Sequence, residues 1–301
     1  MKVKYSIKNC ISLMFVALVA VCLLSQTAAQ AKTTIPRSKP HTAKPAPPKA
    51  TTKPKTNTKT TSKSTTKSTT RSTPKSTQTK RNFQYRTFTV NGVSFDMVPV
   101  AGGTFMMGSD RCCDNEKPVH EESVGDFMIG KTEVTQKLWR AVMCDNPSIF
   151  KGDRNPVENV SWDDCQEFIR KLNQLTGQRF RLPKEAEWEY AARGGNQSIG
   201  YEYSGSNDLK KVAWYYYNSG SKPHPVATLA PNELGIYDML GNVFEWTADK
   251  YSDNYNSPRD WDYRVYRGGC FDYDDFTCHV AARNTNHPSL HLCILGLRLA
   301  L

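Results

Sequence analysis

The first part of the chain has no acidic residues. Residues 1–81 contain 17 Lys and Arg but no Asp or Glu, and the first acid of the 301-residue chain is Asp96. Since the whole chain has 40 basic and 29 acidic residues, residues 82–301 hold 40 − 17 = 23 basic against 29 acidic, a net charge of −6. A basic tail before a mildly acidic body argues against a globular nucleic-acid-binding domain, whose basic patch would lie on the folded part.

Long apolar runs are equally scarce, because only residues 11–24 form one. This run follows Lys2, Lys4 and Lys8 and precedes Ala29-Gln30-Ala31, a pattern typical of a secretory signal peptide spanning residues 1–31. The alternative is an uncleaved membrane anchor, for which the run is short. A single run excludes a multi-span membrane protein. We therefore expect export to the periplasm, cell surface or medium and no transmembrane segment in the mature chain.

Several common catalytic and metal-binding motifs are missing. There is no G-x-S-x-G, H-E-x-x-H or P-loop, so hydrolase and nucleotide chemistries have no support. The absence of C-x-x-C weakens zinc-ribbon and thioredoxin-like interpretations. Seven cysteines follow residue 31, and an odd number leaves at least one thiol free or paired with another chain. Up to three disulfides are compatible with these cysteines: Cys112, Cys113, Cys144, Cys165, Cys270, Cys278 and Cys293.

Residues 32–81 consist almost entirely of Thr, Ser, Lys and Pro. Such a segment has little apolar surface to bury, so folding cannot offset the entropy of ordering it, and we predict a disordered linker. One interpretation is a solvated spacer. The other is a cationic tether to a polyanionic surface such as envelope lipopolysaccharide or wall polymers.

The body, residues 82–301, carries few but clear signals of regular structure. Alternating apolar residues around Asn91-Gly92 predict a β-hairpin with a type I′ turn. Three helices are predicted: over Thr135–Met143, from an N-cap at Ser161 to Gly177, and after Leu182-Pro183 with the proline in the first turn. After Gly195 no long periodic segment remains. The pattern indicates an α+β domain with little regular secondary structure and a short strand at the C-terminus.

Four stretches of the body, taken in order, carry a family resemblance. They are residues 102–109 (GGTFMMGS), 131–136 (KTEVTQ) with 156–162 (PVENVSW), 181–195 (RLPKEAEWEYAARGG), and 241–246 (GNVFEW) with 267–269 (RGG), 281–283 (AAR) and 296–298 (GLR). Together they closely resemble the sulfatase-modifying factor family, the formylglycine-generating enzymes and their relatives, over about residues 88–301. The resemblance implies a C-type-lectin-like α+β fold.

The resemblance also implies a chemistry from which this chain departs. Formylglycine-generating members oxidise a sulfatase cysteine with molecular oxygen and a copper ion held by two cysteines, since soft thiolates suit Cu(I). The pair is expected between the RGG and AAR motifs, but residues 272–276 read DYDDF there. Cys270 and Cys278 are eight residues apart and are weak candidates for a substitute pair. The alternative makes Cys278 a disulfide partner or buried thiol, and we do not expect copper.

Calcium is the cofactor that the resemblance favours. Carried over residue by residue, Asp238 and Glu245 would give side-chain oxygens, and Gly241 and Val243 would give backbone carbonyls. Oxygen ligands from an irregular loop are those that calcium takes. The alternative is that the two carboxylates only hold the loop backbone by hydrogen bonds. The histidines of the body are interpreted as surface or loop residues without a metal role: His120, His224, His279, His287 and His291.

Four arginines of the motifs are expected to pair with Glu185, Glu187, Glu189 or Asp residues in a partly buried network: Arg181, Arg267, Arg283 and Arg298. The leading functional hypothesis is an exported member that lacks the copper pair and serves as a binding or structural envelope module. Its partner would be a protein, peptide or glycan held in an aromatic groove, with no nucleic acid. The groove would comprise Trp214, Tyr215, Tyr216, Tyr217, Trp261 and Tyr273, although these aromatics could instead form core. The alternative is a formylglycine-generating or related oxygen-dependent thiol oxidase.

Overall fold

The structure is a computed structural model that describes residues 84–256 and 262–301. The predicted signal peptide and linker, and Trp261, lie outside the described residues. Among the helices that are described, none has the length and apolar character needed to cross a bilayer. The described chain contains three α-helices and eleven short strands joined by long irregular segments, as the sequence predicts.

The three helices are α1 (Gln136–Met143), α2 (Trp162–Thr176) and α3 (Glu185–Ala192). The strands are β1 (Arg86–Val90), β2 (Val93–Val100), β3 (Gly103–Met107), β4 (His120–Val124), β5 (Phe127–Gly130), β6 (Ala213–Trp214), β7 (Leu240–Gly241), β8 (Phe244–Lys250), β9 (Arg264–Arg267), β10 (Asn284–Asn286) and β11 (Leu295–Leu297).

The predicted hairpin is confirmed as β1 and β2. Val90 pairs with Val93 across the turn, and Asn91 and Gly92 both have positive φ, 46° and 77°, as a type I′ turn requires. Strand β2 also pairs with β5 to complete an antiparallel sheet of order β1-β2-β5. A second sheet has the order β10-β9-β8-β11, in which β11 runs parallel to β8. Two-stranded pairs β3-β4 and β6-β7 complete the described strands.

Local capping chemistry sets the helix boundaries. The Thr135 hydroxyl accepts a hydrogen bond from Leu138 N at 3.2 Å and caps α1. At α2, Ser161 and Asp164 form the predicted capping box, and Gly177 ends the helix with φ 66°. The sequence predicts that Pro183 lies in the first turn of α3. The helix instead begins at Glu185, because Lys184 is the N-cap and Pro183 precedes it.

Strand β2 separates two apolar clusters because its side chains alternate between faces. Met97 faces the first cluster, which includes Trp139, Phe168 and Trp246. Val98 and Val100 face the second, which is built around α3 and the β6-β7 pair. Apolar packing on both faces of a short strand holds the loops that carry the candidate site.

Two glutamates of α3 tie the irregular second half of the chain to this scaffold, and a third holds the segment just before the helix. Glu185 receives two hydrogen bonds from Arg283, and Glu189 pairs with buried Arg267. Glu187 pairs with Arg181 in a two-bond contact at 2.6 and 2.9 Å. The predicted network is therefore confirmed for three of its four arginines, whereas Arg298 pairs with Glu245 of β8 instead. Bidentate contacts of this kind fix geometry as well as charge.

Candidate functional site

The segment between the RGG and AAR motifs lies at the protein surface. After β9 the chain turns at Gly268 and Gly269, whose φ angles are 103° and 76°. The residues that stand where the enzymes' copper cysteines are expected are exposed, with Tyr273 at 46% and Phe276 at 61%. This loop therefore presents carboxylates and aromatic rings to solvent.

The two cysteines that flank the loop are both buried. Cys270 packs in the first apolar cluster and Cys278 in the second, and both have an exposure of 0%. Burial raises the pKa of the Cys278 thiol to about 12 and raises the pKa of Cys270 further from its ordinary value. Since the thiolate is the form that binds metal or attacks, burial disfavours both roles for these two thiols. All seven described cysteines are free thiols, so the expected disulfides are absent from this structure.

A cavity of about 770 Å³ opens beside the same loop. Phe276 and Asp275 line one side, and Tyr201 and Tyr203 line another. Charged lining residues of both signs are Asp110, Arg111, Arg193 and Glu202. This volume falls within the range of about 300–1,000 Å³ that is usual for ligand pockets. Aromatic rings beside charges of both signs suit a polar polymer rather than a small apolar ligand.

Arg193 is fixed in this cavity by the scaffold. Its guanidinium donates to Glu189 Oε1 from Nε at 2.9 Å and from Nη2 at 2.7 Å, and to Gly108 O at 3.0 Å. Glu189 also pairs with Arg267, so one buried carboxylate orients both guanidinium groups. A guanidinium held in this way can bind a ligand through its remaining N–H groups with little further loss of side-chain entropy.

The predicted aromatic groove is only partly assembled. Tyr215 is 5% exposed and belongs to the second cluster, and Trp214 stacks on His224 with ring centroids 3.8 Å apart. Tyr216 and Tyr217 are 54% and 68% exposed and contact each other edge to face. Tyr216 N donates to Tyr273 O at 2.9 Å, which places Tyr273 beside them. Three of the predicted residues thus form an exposed patch, Tyr215 packs inward, Trp214 is half-buried, and the 770 Å³ cavity is lined by other residues.

The predicted calcium residues meet in a buried carboxylate cluster. Asp238 is 4% exposed, and its Oδ2 accepts from Ala227 N at 2.7 Å. Burial raises the pKa of Asp238 to about 6. Both carboxylate oxygens of Glu245 accept hydrogen bonds from the guanidinium of Arg298. Glu245 Oε2 also accepts from Trp188 Nε1 at 2.7 Å. Gly241, with φ 73°, supplies the tight backbone turn between them.

Sequence reasoning missed a third member of this cluster, Glu133. Its Oε1 accepts from Val243 N at 3.2 Å and its Oε2 from Asn242 Nδ2 at 2.9 Å. Burial, together with the charges of Asp238 and Glu245, raises the pKa of Glu133 well above its usual range. Glu133 lies in the KTEVTQ stretch, and only its place in that motif could have indicated it.

The donor set of the cluster carries the negative charge that a cation needs, but the oxygens of its three carboxylates do not all lie within 4.8 Å of one another. Three carboxylates surround the single guanidinium of Arg298, which leaves an excess of negative charge that a proton or a cation must offset. Glu245, however, has both oxygens engaged by Arg298 and Trp188. In this arrangement Glu245 supports the loop, and calcium at the four predicted residues stays a prediction.

These features define an α+β domain of the C-type-lectin-like kind, with a site on its long loops. The family described as the sulfatase-modifying factor enzyme 1-like domain matches residues 84–301, and the chain belongs to that family. Among solved structures, Treponema denticola variable protein 1 superposes with a TM-score of 0.65 at 34% identity, over 72% of this chain and 98% of that one.

Two curated relatives illustrate the range of the family. The chaperone protein LppX of Paenibacillus barcinonensis is 36% identical over 227 residues, covering 59% of this chain and 79% of that protein. The formylglycine-generating enzyme of Streptomyces coelicolor is 33% identical over 188 residues, covering 54% of this chain and 57% of that enzyme. The match thus spans just over half of the enzyme's length.

Proposed function

We propose that this protein is an exported binding module of the formylglycine-generating enzyme-like family, without thiol oxidase chemistry, that holds a segment of another protein in the 770 Å³ cavity. The observation that carries the proposal is the loop 272–276. Where the enzymes are expected to hold copper on two cysteines, this chain has exposed carboxylates and aromatic rings. Phe276 and Asp275 of that loop line the cavity.

The lining of the cavity supports a polypeptide as the ligand. Tyr201 and Phe276 are 40% and 61% exposed, and rigid rings of this kind give contact area at low entropic cost. Arg193, which the scaffold holds in place, can donate hydrogen bonds to a backbone carbonyl or a carboxylate of the ligand. Glu202 and Asp275 can pair with Lys or Arg of the ligand. Two similar proteins are named a chaperone and a variable protein, which is in keeping with contact to other macromolecules.

The binding test uses the purified full chain as bait for a displayed random-peptide library and for a glycan array. We expect peptides to be enriched, and the variant with Tyr201→Ala and Phe276→Ser to lose most of their binding. Tyr217→Ala is the matched control, since Tyr217 is 68% exposed and does not line this cavity. Enrichment of glycans alone, or equal loss of binding in Tyr217→Ala, would contradict a polypeptide ligand in this cavity.

The competing function is a formylglycine-generating or related thiol oxidase. It rests on family membership and on the two cysteines near the expected position. The burial of Cys270 and Cys278, which raises the pKa of both thiols, argues against two thiolates sharing one ion.

A further inference from the structure

Two adjacent cysteines and a buried glutamate meet at the edge of the same cavity. The Sγ atoms of Cys112 and Cys113 are 2.8 Å apart. A carboxylate oxygen of Glu116 completes a group in which each ligand atom lies within 4.8 Å of the other two. Among the described residues, no other group of three or more Cys, His, Asp or Glu side chains meets this criterion.

Glu116 is a buried carboxylate with one oxygen left without a hydrogen-bond partner in the described part of the chain. It is 1% exposed, and its Oε2 is buried without a hydrogen-bond partner among the described residues. Leaving a buried carboxylate oxygen unpaired is costly. A bound cation beside the two sulfurs would satisfy this oxygen.

His279 holds the other oxygen of Glu116. Its Nε2 is 2.9 Å from Glu116 Oε1, and its Nδ1 is 2.8 Å from Phe276 O. Both ring nitrogens are therefore engaged, and the ring fixes the orientation of the carboxylate. An outer partner of this kind is typical of metal-ligating side chains.

We propose that Cys112, Cys113 and Glu116 bind a zinc ion, with its remaining coordination position turned toward the cavity. Two thiolates and one carboxylate oxygen are ligands that Zn²⁺ accepts, and three protein ligands leave one position of a tetrahedron open. Burial and the side chains of Cys113 and Glu116 raise the pKa of the Cys112 thiol to about 12, so the ion must displace that proton when it binds. Because Cys112 and His279 line the cavity, the open coordination position of the ion would face the cavity. The site does not depend on the proposed binding of a polypeptide.

The ligand geometry requires only a local adjustment. Zn–S bonds of about 2.3 Å in a tetrahedron place two sulfurs about 3.7 Å apart, so the sulfurs must separate from their present 2.8 Å. Rotation of either side chain supplies that change. The competing outcome, a disulfide between adjacent cysteines, closes a small ring through the peptide bond, strains its planarity and leaves Glu116 Oε2 unpaired.

The test uses the full chain, reduced and stripped of metal with a chelator under anaerobic conditions, and Co²⁺ as a spectroscopic probe. We expect one equivalent of Co²⁺ to give thiolate-to-metal charge-transfer absorption, and Zn²⁺ to displace it. Cys112→Ser and Cys113→Ser should each bind Co²⁺ more weakly and show weaker absorption, because each variant keeps only one of the two thiolates. Glu116→Gln keeps both thiols and should retain the absorption with an affinity at least about tenfold weaker.

Cys144→Ser is the control, because Cys144 is an exposed thiol outside the group. Far-ultraviolet circular dichroism and melting curves show whether each variant is folded. If a cysteine variant does not fold, Glu116→Gln still tests the site. Absence of the charge-transfer band in the reduced wild type would overturn the zinc site. Wild-type affinity in Cys112→Ser, or a metal-free Cys112–Cys113 disulfide that persists under the reductant, would also overturn it.

Discussion

Arg298 and Glu245 form a fully buried ion pair, with Nη2 and Oε1 2.7 Å apart. The same guanidinium donates to the carbonyl oxygens of Gly130 and Tyr237, each at 2.9 Å. One side chain thus joins the end of β5, the loop before β7, and β8 to the C-terminal segment. This contact lies beneath the loop that carries the predicted calcium residues.

Removal of Arg298 should destabilise the domain strongly. Arg298→Met leaves Glu245, Asp238 and Glu133 buried without their guanidinium, and breaking a buried pair typically costs about 3–5 kcal/mol. Thermal unfolding should show a clear fall in Tm, and adding Glu245→Gln to the variant should recover part of it. Arg170→Met is the control, because Arg170 pairs with Glu167 in the exposed part of α2 and such pairs contribute little. Equal effects of Arg298→Met and Arg170→Met would contradict the role of the buried pair.

Glu158 should make stability depend on pH. It is 0% exposed, and its Oε2 has no hydrogen-bond partner among the described residues. Burial raises the pKa of Glu158 from 4.5 to about 7. The folded state therefore keeps a proton that the unfolded state releases. This contribution to stability is fully present below pH 4.5 and is lost as pH rises to about 7.

Glu158→Gln should remove that loss, because an amide does not ionise. Its Tm should exceed that of wild type at pH 8 and approach it at pH 4.5, with Glu121→Gln, on an exposed residue, as the control. Melting curves across this pH range measure the effect. A wild-type Tm that falls with pH no more steeply than that of Glu158→Gln would show that Glu158 does not cause the dependence.

The protein should not generate formylglycine. The purified chain should fail to bind Cu(I) tightly at Cys270 and Cys278, since both are buried and carry raised pKa values. Incubation with copper, oxygen and a peptide that carries a sulfatase cysteine motif should give no aldehyde by mass spectrometry. An aldehyde mass shift that disappears in Cys270→Ser or Cys278→Ser would establish a working site and replace the binding function.

Calcium should stabilise the domain if it occupies the carboxylate cluster. Binding to the folded state alone at 100 times Kd adds about 2.7 kcal/mol to the free energy of unfolding. Tm should therefore rise with calcium in the wild type and not in Asp238→Asn, while Asp163→Asn, on an exposed carboxylate of α2, should respond as wild type does. If a chelator leaves the wild-type Tm unchanged, the calcium assignment is wrong.

Deletion of residues 32–81 should leave the domain folded. The composition of that segment offers almost no apolar surface to the body, so Tm should change little. The deletion should abolish retention on a polyanionic resin such as dextran sulfate, and added salt should mimic it. Replacing the Lys and Arg of the segment by Gln keeps its length and should have the same effect on retention. A large fall in Tm would show that the segment packs on the body.

Much of the fold was predictable because its signals are local. The Asn91-Gly92 turn, the Ser161–Asp164 capping box and the Gly177 helix end each depend on residues within a few positions of one another. The pairing of Arg181, Arg267 and Arg283 with the glutamates of α3 also followed, because buried guanidinium groups require carboxylate partners. The partner of Arg298 did not, since Glu245 lies on a distant strand. The position of Pro183 before the helix did not follow, since Lys184 is an unusual N-cap residue.

The sequence by itself determined the family, the α+β fold class and the absence of cysteines at positions 271–277. Tertiary structure alone decided that Glu133 joins Asp238 and Glu245, and that His279 reaches Glu116 across 163 residues of chain. It also decided that Tyr215 is buried while Tyr216 and Tyr217 are exposed. Caps and turns are set by neighbours in sequence, whereas burial and charge clustering depend on which distant loops pack together. A strand or loop without hydrophobic periodicity does not indicate its packing partners.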